Sequence, residues 1–263
     1  MIASVSSDIG AFLARRFMAN KDNVCGTYRD YAHVPEDLRS AGIRLFKCDV
    51  DSAPDVKTLK DELRNQGFRW DLLISAVGVL SPIGRFVDLD FTKWEKSVTT
   101  NSISQLRLLH GLYELRTTGR MANVVFFAGG GTNGPFDNFS AYCIGKIALI
   151  KMCELLDSEC PDLHVSILGT GWVRTKIHAQ TLAAGENSGE NFERTRKFLD
   201  SDYPGTSLSD IAECIEWCVA SPKSATSGRN FSVVHDKWRE GRELLTALES
   251  SRDKFKLRRS GND

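Results

Sequence analysis

The chain lacks the features that would tie it to a membrane, a secretion route or a polyanion. Its 34 Lys and Arg residues are balanced by 34 Asp and Glu, so no net charge favours nucleic acid or an anionic bilayer. No apolar run approaches the length of a transmembrane helix. The start, Met1-Ile2-Ala3-Ser4, has neither the charged nor the long apolar region of a secretion signal. These absences predict a cytoplasmic protein without a nucleic-acid or membrane partner.

Cysteine is present, but it follows no pattern. The 263 residues include seven cysteines, an odd number, and none of them is spaced as metal ligands are. We therefore expect free thiols in a reducing compartment and no metal site. The proportions of hydrophobic residues, 41%, and charged residues, 26%, are those of an ordinary globular protein.

Short apolar runs alternate with amphipathic segments along the whole chain. This alternation predicts α/β architecture: a Rossmann-like, doubly wound parallel sheet with helices on both faces, three layers in all. One helix is expected from Thr92 through Asn101 to beyond Leu109. The absence of repeats and linkers predicts a single domain over 1–263. Only Met1 to Ser4 precede the first helix, so the first strand is either very short or begins upstream. The other predicted strands are Asn23–Tyr28, Ile43–Val50, Leu72–Val77, Asn123–Ala128, His164–Leu168 and Asn230–Val234.

The first strand leads directly into a turn of small residues and a helix. A helix N-terminus offers free N–H groups and a partial positive charge to a phosphate. Ser4, Ser6-Ser7 and Gly10 would let the backbone approach such an anion, with Ile9 opening the helix. Asp8 is awkward, because a carboxylate repels phosphate unless it points away or caps the helix. A plain serine-rich N-cap remains the alternative.

The second strand ends about 20 residues later, where a dinucleotide fold meets the adenosine ribose. Tyr28 is followed there by Arg29, whose guanidinium suits a 2′-phosphate and favours NADP over NAD. Asp30 is a competing ribose contact, and Arg29 as a plain surface residue is the alternative. Asp49-Val50 closes the third strand, where Asp49 would accept from the adenine amino group. Ala76-Val77-Gly78 ends the fourth, leaving room for the adenosine half.

Tyr142 and Lys146 are four residues apart at the start of a predicted helix, Ser140 to about Glu159. Residues at this spacing lie on one helix face, so the phenol and the ammonium are neighbours. A nearby cation favours the ionised phenol, and such a tyrosine can exchange a proton near neutral pH. An accidental pair is the alternative.

In order and spacing, these parts resemble the short-chain dehydrogenase/reductase family over nearly the whole chain. Short similarities, such as Gly129-Gly130-Gly131, indicate a divergent branch that we associate with bacterial surface-polysaccharide genes. The resemblance rests on Ala3 to Gly10, Asp49-Val50, Ser75 to Gly78, Asn101, Tyr142 with Lys146, Gly171 to Thr175, and Gly228 to Asn230.

The resemblance implies a role for each of these residues. Tyr142 would be the general acid/base, and Lys146 would lower its pKa and bind the nicotinamide ribose. Asn101 would hold a water of a proton relay. Thr175 would contact the nicotinamide end, and the Val173 backbone its carboxamide. The implied reaction is hydride transfer between nicotinamide and a carbonyl or secondary alcohol.

The chain also departs from the family pattern. Ser4 and Asp8 stand where the turn has glycines, and Ser75-Ala76-Val77-Gly78 lacks two side-chain amides. The substrate-polarising serine expected thirteen residues before the tyrosine is Gly129. Thr132 is our candidate for its replacement and Ser140 a poorer one.

The missing serine leaves a second hypothesis open, a dinucleotide-binding regulatory or assembly protein without catalysis. A third hypothesis is a sugar epimerase that acts through a transient ketone, because such enzymes share the Tyr142–Lys146 pair.

The segment of about 176–206 is long and polar, as expected of a substrate lid. His178, Arg194, Arg196 and Lys197 would meet an anionic substrate such as a sugar nucleotide, or else the last three form a solvated helix face. A C-terminal tail of about 237–263 follows, and its basic end, Lys254 to Arg259, is expected to be disordered or to lie on a neighbouring subunit. Surplus apolar residues predict a homodimer or homotetramer: Leu106, Leu108, Leu109, Met152 and Leu156.

Overall fold

The protein is organised around a seven-stranded sheet, seen in a computed structural model that describes residues 1–259. Every strand pair is parallel, and the third and seventh strands form the edges. The strands are β1 (Ile2–Ala3), β2 (Cys25–Tyr28), β3 (Arg44–Lys47), β4 (Leu72–Ser75), β5 (Ala122–Phe127), β6 (Leu163–Gly169) and β7 (Arg229–Ser232). Their spatial order, β3-β2-β1-β4-β5-β6-β7, confirms the predicted doubly wound sheet.

Helices cover both faces of the sheet, which confirms the three layers. Successive strand residues point to opposite faces. Val124 and Phe126 of β5 therefore join one apolar cluster, and Val125 and Phe127 join the other. The helices of residues 1–259 are α1 (Asp8–Ala19), α2 (Glu36–Ser40), α3 (Ala53–Asn65), α4 (Phe91–Asn101), α5 (Ile103–Leu112), α6 (Ser140–Glu159), α7 (His178–Ala184), α8 (Glu190–Asp200), α9 (Leu208–Ala220), α10 (Lys223–Thr226) and α11 (Arg242–Glu249).

The strand order places a crevice at the carboxyl ends of β1 and β4. The chain passes outward from β1 through β2 to β3, then returns to β4 on the other side of β1. Ligands of open α/β sheets bind at such a reversal. The β1 strand itself has only two residues, Ile2 and Ala3.

The single helix predicted from Thr92 past Leu109 is wrong, because it is broken at Ser102. This residue has φ −137° and ψ −78°, outside the helical region, and its hydroxyl donates to Val98 O at 2.6 Å. The break ends α4 at Asn101 and starts α5 at Ile103. Asn101 thereby stands at a helix end.

The leucines used to predict an oligomer are largely buried in their own chain. Leu108, Leu109 and Leu156 lie in the core, and Leu106 and Met152 pack against it. These side chains are therefore not available for contact with a second copy, and the homodimer or homotetramer stays a prediction. Different apolar side chains of α4, α5 and α6 are exposed: Phe91, Ile103, Ile144 and Leu155.

The C-terminal tail packs on its own chain as far as Arg259, the last described residue; residues 260–263 lie outside the described part. The Arg229 guanidinium, 4% exposed, donates to Leu248 O at 2.7 Å and Ser251 O at 2.8 Å. Arg258 bonds Glu154 of α6 at 2.5 Å. The basic end from Lys254 to Arg258, predicted to be disordered or to lie on a neighbouring subunit, instead contacts its own chain.

Candidate active site

Tyr142 and Lys146 lie one turn apart on α6 and face the same cavity. Lys146 is 3% exposed, and its Nζ donates to Val77 O at 3.0 Å. The ammonium lies 5.9 Å from the centre of the Tyr142 ring. The predicted pair is thus brought together, with the lysine anchored to the end of β4.

Burial shifts the pKa of both groups. It raises the pKa of the Tyr142 phenol well above its usual value and lowers the pKa of Lys146 to about 7. Removing a charge from water disfavours it, whatever its sign. In the protein alone, the lysine therefore does not lower the pKa of Tyr142 as expected. The tyrosine is protonated at neutral pH.

Gly129 stands at the position of the expected serine. Because it has no side chain, it leaves the space that the Tyr142 ring occupies. A Cβ on Gly129 would lie 2.5 Å from the Tyr142 hydroxyl oxygen and 2.6 Å from the ring carbon that carries it. No side chain fits there while Tyr142 stays in place. The glycine is therefore a packing requirement of this tyrosine position.

Thr132, our candidate for the missing hydroxyl, lines the same cavity as Tyr142. Its Oγ1 lies 3.4 Å from Gly129 O, a weak hydrogen bond that holds the loop closed. The substrate-polarising role of Thr132 stays a prediction. Ser140, the second candidate, accepts a hydrogen bond from Trp94 Nε1 at 2.9 Å.

Asn101 is fully buried and clamps the segment after β4. Its Oδ1 accepts from Val79 N at 3.1 Å, and its Nδ2 donates to Val79 O at 2.8 Å. A Cβ on Gly78 would lie 3.7 Å from Lys146 Nζ and 3.8 Å from Asn101 Oδ1, so the three residues converge. The water relay stays a prediction.

Gln105 supports this group and was missed by the sequence reasoning. It is 1% exposed; its Oε1 accepts from Ser75 Oγ at 2.7 Å, and its Nε2 donates to Asn101 O at 2.9 Å. The same Nε2 lies 3.4 Å from Val77 O, the acceptor of Lys146. No sequence signal marks it, because a glutamine among helical leucines resembles a surface position.

The predicted phosphate turn has the geometry an anion requires. Ser4 has φ +67°, the left-handed conformation that favours glycine, which explains the family residue there. Ser7 caps α1 by accepting from Gly10 N at 3.1 Å. A Cβ on Gly10 would lie 2.2 Å from Ser4 O, so only glycine fits.

Two donors of the turn are free to meet a diphosphate. Within residues 1–259 the N–H groups of Asp8 and Ile9 have no acceptor, as expected in a first helical turn. Asp8 turns its carboxylate toward the lid, where Oδ2 accepts from Lys176 N at 2.7 Å. The residues present therefore fit the diphosphate of a dinucleotide.

Arg29 is exposed just beyond β2, and no ion pair engages it in the described part of the chain. Asp30, its competitor, caps a short 3-10 helix by accepting from Ala32 N at 3.0 Å, and it lies 3.4 Å from His33 Nδ1. The carboxylate is thus locally engaged, while the guanidinium is available. Tyr28 packs edge-on against Tyr31 beside them.

The remaining adenosine residues line the crevice or support it. Asp49 Oδ1 accepts from Asp51 N at 3.0 Å, which leaves its second oxygen for an adenine amino group. Val50 is buried in the core and supports the loop from below. Ala76, Val77 and Gly78 line the cavity.

The start of the lid is fastened on both sides. Val173 O accepts from His178 Nε2 at 2.8 Å, so the Val173 N–H is the group left for a carboxamide. Thr175 lines the cavity. Trp172 stacks on His178, with ring centres 5.5 Å apart, and Arg174 donates to Leu199 O at 2.9 Å. The lid is therefore an ordered, packed element.

The lid cations predicted to meet an anion lie on a solvated face. Arg194 pairs with Glu190 at 3.1 Å and Arg196 with Glu193 at 2.7 Å. Lys197 is exposed. These three side chains thus agree with the alternative prediction, a solvated helix face. Of the four residues predicted to meet an anionic substrate, His178 alone lines the cavity.

One cavity of about 1090 Å³ joins these parts. Ser7 and Asp8 of the turn, Tyr142 with Lys146, and Thr175 of the lid all line it. Its size is at the upper end of small-molecule sites, as expected of a site for two molecules. Residues 1–259 contain no cluster of side chains suited to a metal ion. Nor does any helix in that range combine the length and apolarity needed to cross a bilayer.

Known proteins are similar to this chain over most of its length. A family model described as enoyl-(acyl carrier protein) reductase matches residues 3–233. Benzil reductase ((S)-benzoin forming) of Saccharomyces cerevisiae is 24% identical over 232 residues, covering 80% of this chain and 88% of the yeast protein. NAD-dependent glycerol dehydrogenase of Listeria innocua is 19% identical over 243 residues, covering 89% and 91%.

A solved structure of a Saccharomyces cerevisiae short-chain dehydrogenase/reductase superposes with a TM-score of 0.79 at 21% identity, covering 97% of this chain and 98% of that one. The family model spans every part of the site, from the β1 turn through the Tyr142 helix to β7. The chain therefore belongs to the short-chain dehydrogenase/reductase family of NAD(P)-dependent oxidoreductases.

Proposed function

We propose that this oxidoreductase uses NADP to reduce a carbonyl compound whose reacting carbon carries an apolar substituent. The observation that carries the proposal is the single cavity shared by the phosphate turn and the Tyr142 hydroxyl. It allows a dinucleotide and a second molecule to meet beside a group that exchanges protons. The bound dinucleotide supplies the hydride.

Tyr142 and Lys146 divide the proton chemistry between them. The raised pKa of Tyr142 keeps the phenol protonated at neutral pH, which suits a proton donor to the oxygen of a reduced carbonyl. The phenolate that results is buried, and Lys146, with its ammonium 5.9 Å from the ring centre, stabilises it when protonated. The negative charge of the phenolate in turn favours the protonated form of the lysine. Reduction is therefore the direction we assign.

The choice of NADP rests on Arg29. Its guanidinium is exposed and unpaired in residues 1–259, while Asp30 is engaged by Ala32 N. A planar guanidinium binds a phosphate bidentately, whereas the ribose diol of NAD calls for a carboxylate. One relative is named as NAD-dependent. Binding to both cofactors must therefore be measured.

The walls around Tyr142 support the substrate class. Tyr142, Phe136 and Ile177 pack with the buried Leu80, Ile83 and Phe139 in one apolar cluster. A bare sugar ring, the substrate suggested by the resemblance, would leave hydroxyls without partners against this wall. A ketone with an aromatic or branched aliphatic group would bury apolar surface there. The name of the yeast relative, benzil reductase, is in line with such a substrate.

The test is oxidation of NADPH, followed by absorbance, with a panel of aryl ketones, diketones and keto-sugars. We expect activity with the aryl compounds and a loss of about 10²–10⁴-fold in kcat for Tyr142→Phe. Tyr113→Phe is the matched control, because that hydroxyl bonds Asp162 at 2.8 Å outside the cavity. Activity undiminished in Tyr142→Phe would remove the proton-transfer role, and turnover of keto-sugars alone would overturn the substrate class.

A further inference from the structure

Lys176, the first residue of the lid, lies across the phosphate turn. Its N–H donates to Asp8 Oδ2 at 2.7 Å, and its Nζ donates to Ser6 O at 2.5 Å. The two segments are 168 residues apart in the chain. Two contacts from one residue therefore join the lid to the cofactor turn.

The charges at the turn do not balance without this lysine. A carboxylate at the start of α1 opposes a diphosphate held by the N–H groups of Asp8 and Ile9. The Lys176 ammonium forms no ion pair with a carboxylate in residues 1–259, although it lines the cavity. Its hydrogen-bond partner is a neutral carbonyl. Within residues 1–259, no carboxylate thus balances the charge of this ammonium, which lies beside the predicted diphosphate position.

The other two lysines that line the cavity are not bonded to the turn within residues 1–259. Lys146 is anchored to Val77 O at 3.0 Å. Lys256 lies beyond β7, in the C-terminal segment. Lys176 is therefore the cavity lysine that contacts the turn and is placed to neutralise the diphosphate.

We infer that Lys176 binds the dinucleotide diphosphate and that Asp8 is the positioning residue that holds it there. The Asp8 carboxylate fixes the main chain of Lys176 and so points the ammonium at the turn. On binding, the ammonium exchanges the Ser6 carbonyl for phosphate oxygens, a stronger, charge-assisted partner. The inference rests on the dinucleotide binding in the proposed function, but not on its choice of NADP or of substrate.

The first experiment measures dissociation constants of NADPH, NADH and ADP by fluorescence titration or calorimetry. Lys176→Met is expected to weaken all three about tenfold, since each carries the diphosphate. Lys176→Arg keeps the charge and should stay within about threefold of the wild type. Raising the salt concentration should bring the dissociation constants of Lys176→Met and the wild type closer together, because salt screens the charge of the lysine.

Arg196→Met is the matched control, since it removes a lid cation that pairs with Glu193 on the solvated face. It should leave all three dissociation constants within about twofold. Thermal unfolding confirms that each variant is folded. If Lys176→Met binds the three ligands as the control does, Lys176 has no diphosphate role.

A double-mutant cycle tests Asp8. Asp8→Ala removes both the acceptor of Lys176 N and the negative charge. We expect it to weaken NADPH binding about threefold in the wild type, because Lys176 is no longer held, and to strengthen binding about threefold in Lys176→Met, where only the repulsion by Asp8 remains. Equal effects in both backgrounds would mean that the two residues act independently. If the wild type binds neither dinucleotide, both the proposed function and this inference fail.

Discussion

The ring of Tyr142 occupies the space that a side chain at position 129 would need. A Cβ on Gly129 would lie 2.5 Å from the Tyr142 hydroxyl oxygen. Real Cβ atoms do not approach other atoms so closely, so any side chain there displaces the tyrosine. The missing serine and the position of the tyrosine are one structural feature.

Restoring the serine should therefore harm the enzyme. We expect Gly129→Ser to lower kcat/KM about 10–100-fold, since a misplacement of roughly 1 Å costs about that much. NADPH affinity should remain. Gly134→Ser is the control, because a Cβ there has no neighbour within 4 Å. A Gly129→Ser variant as active as the wild type would show that the tyrosine moves freely.

Arg29 should separate the two cofactors. Removing a bidentate phosphate contact in Arg29→Ala is expected to weaken NADPH about 10–100-fold and to leave NADH within about twofold. The control is Arg44→Ala, at the amino end of β3, whereas Arg29 follows the carboxyl end of the parallel strand β2. Equal losses of affinity for NADPH and NADH would mean that Arg29 contacts a group that both cofactors carry, and not the 2′-phosphate.

Gln105 should contribute to stability and, through Val77, to the position of Lys146. Gln105→Leu leaves Ser75 Oγ and Asn101 O without their partner, so we expect a loss of about 2–4 kcal/mol in the free energy of unfolding. Urea denaturation measures it. Gln66→Leu, on an exposed helix end, should change it by less than about 0.5 kcal/mol. A loss no larger than in that control would contradict the assignment.

The fold and the Tyr142–Lys146 pair were predictable because their signals are local. Apolar periodicity identifies each strand and helix, and a four-residue spacing places both side chains on one helix face. The family and the α/β sheet are accordingly confirmed.

The remaining features depend on contacts between distant segments. Asp8 reaches Lys176 across 168 residues, and Gln105 reaches Ser75 across 30. The spacing of residues along the sequence does not predict these contacts. The pKa of Tyr142 was misjudged for the same reason, since burial outweighs the neighbouring lysine.

Burial of Lys146 should appear as a pH dependence of stability. Its pKa falls from 10.5 to about 7 on folding, so between these values the unfolded chain binds a proton that the native protein does not. Stability therefore rises with pH across this window, and the cost of the buried charge is complete below about pH 7.

Lys146→Met removes this dependence. The free energy of unfolding of the variant minus that of the wild type should fall by about 2–3 kcal/mol from pH 6 to pH 9, measured by urea denaturation without cofactor. Groups that titrate alike in the two proteins contribute equally to both free energies, so their contributions cancel in the difference. Lys151→Met, on the same helix but half-exposed beside Glu154, should give no such slope. A flat difference for Lys146→Met would mean that the lysine keeps its ordinary pKa despite its burial.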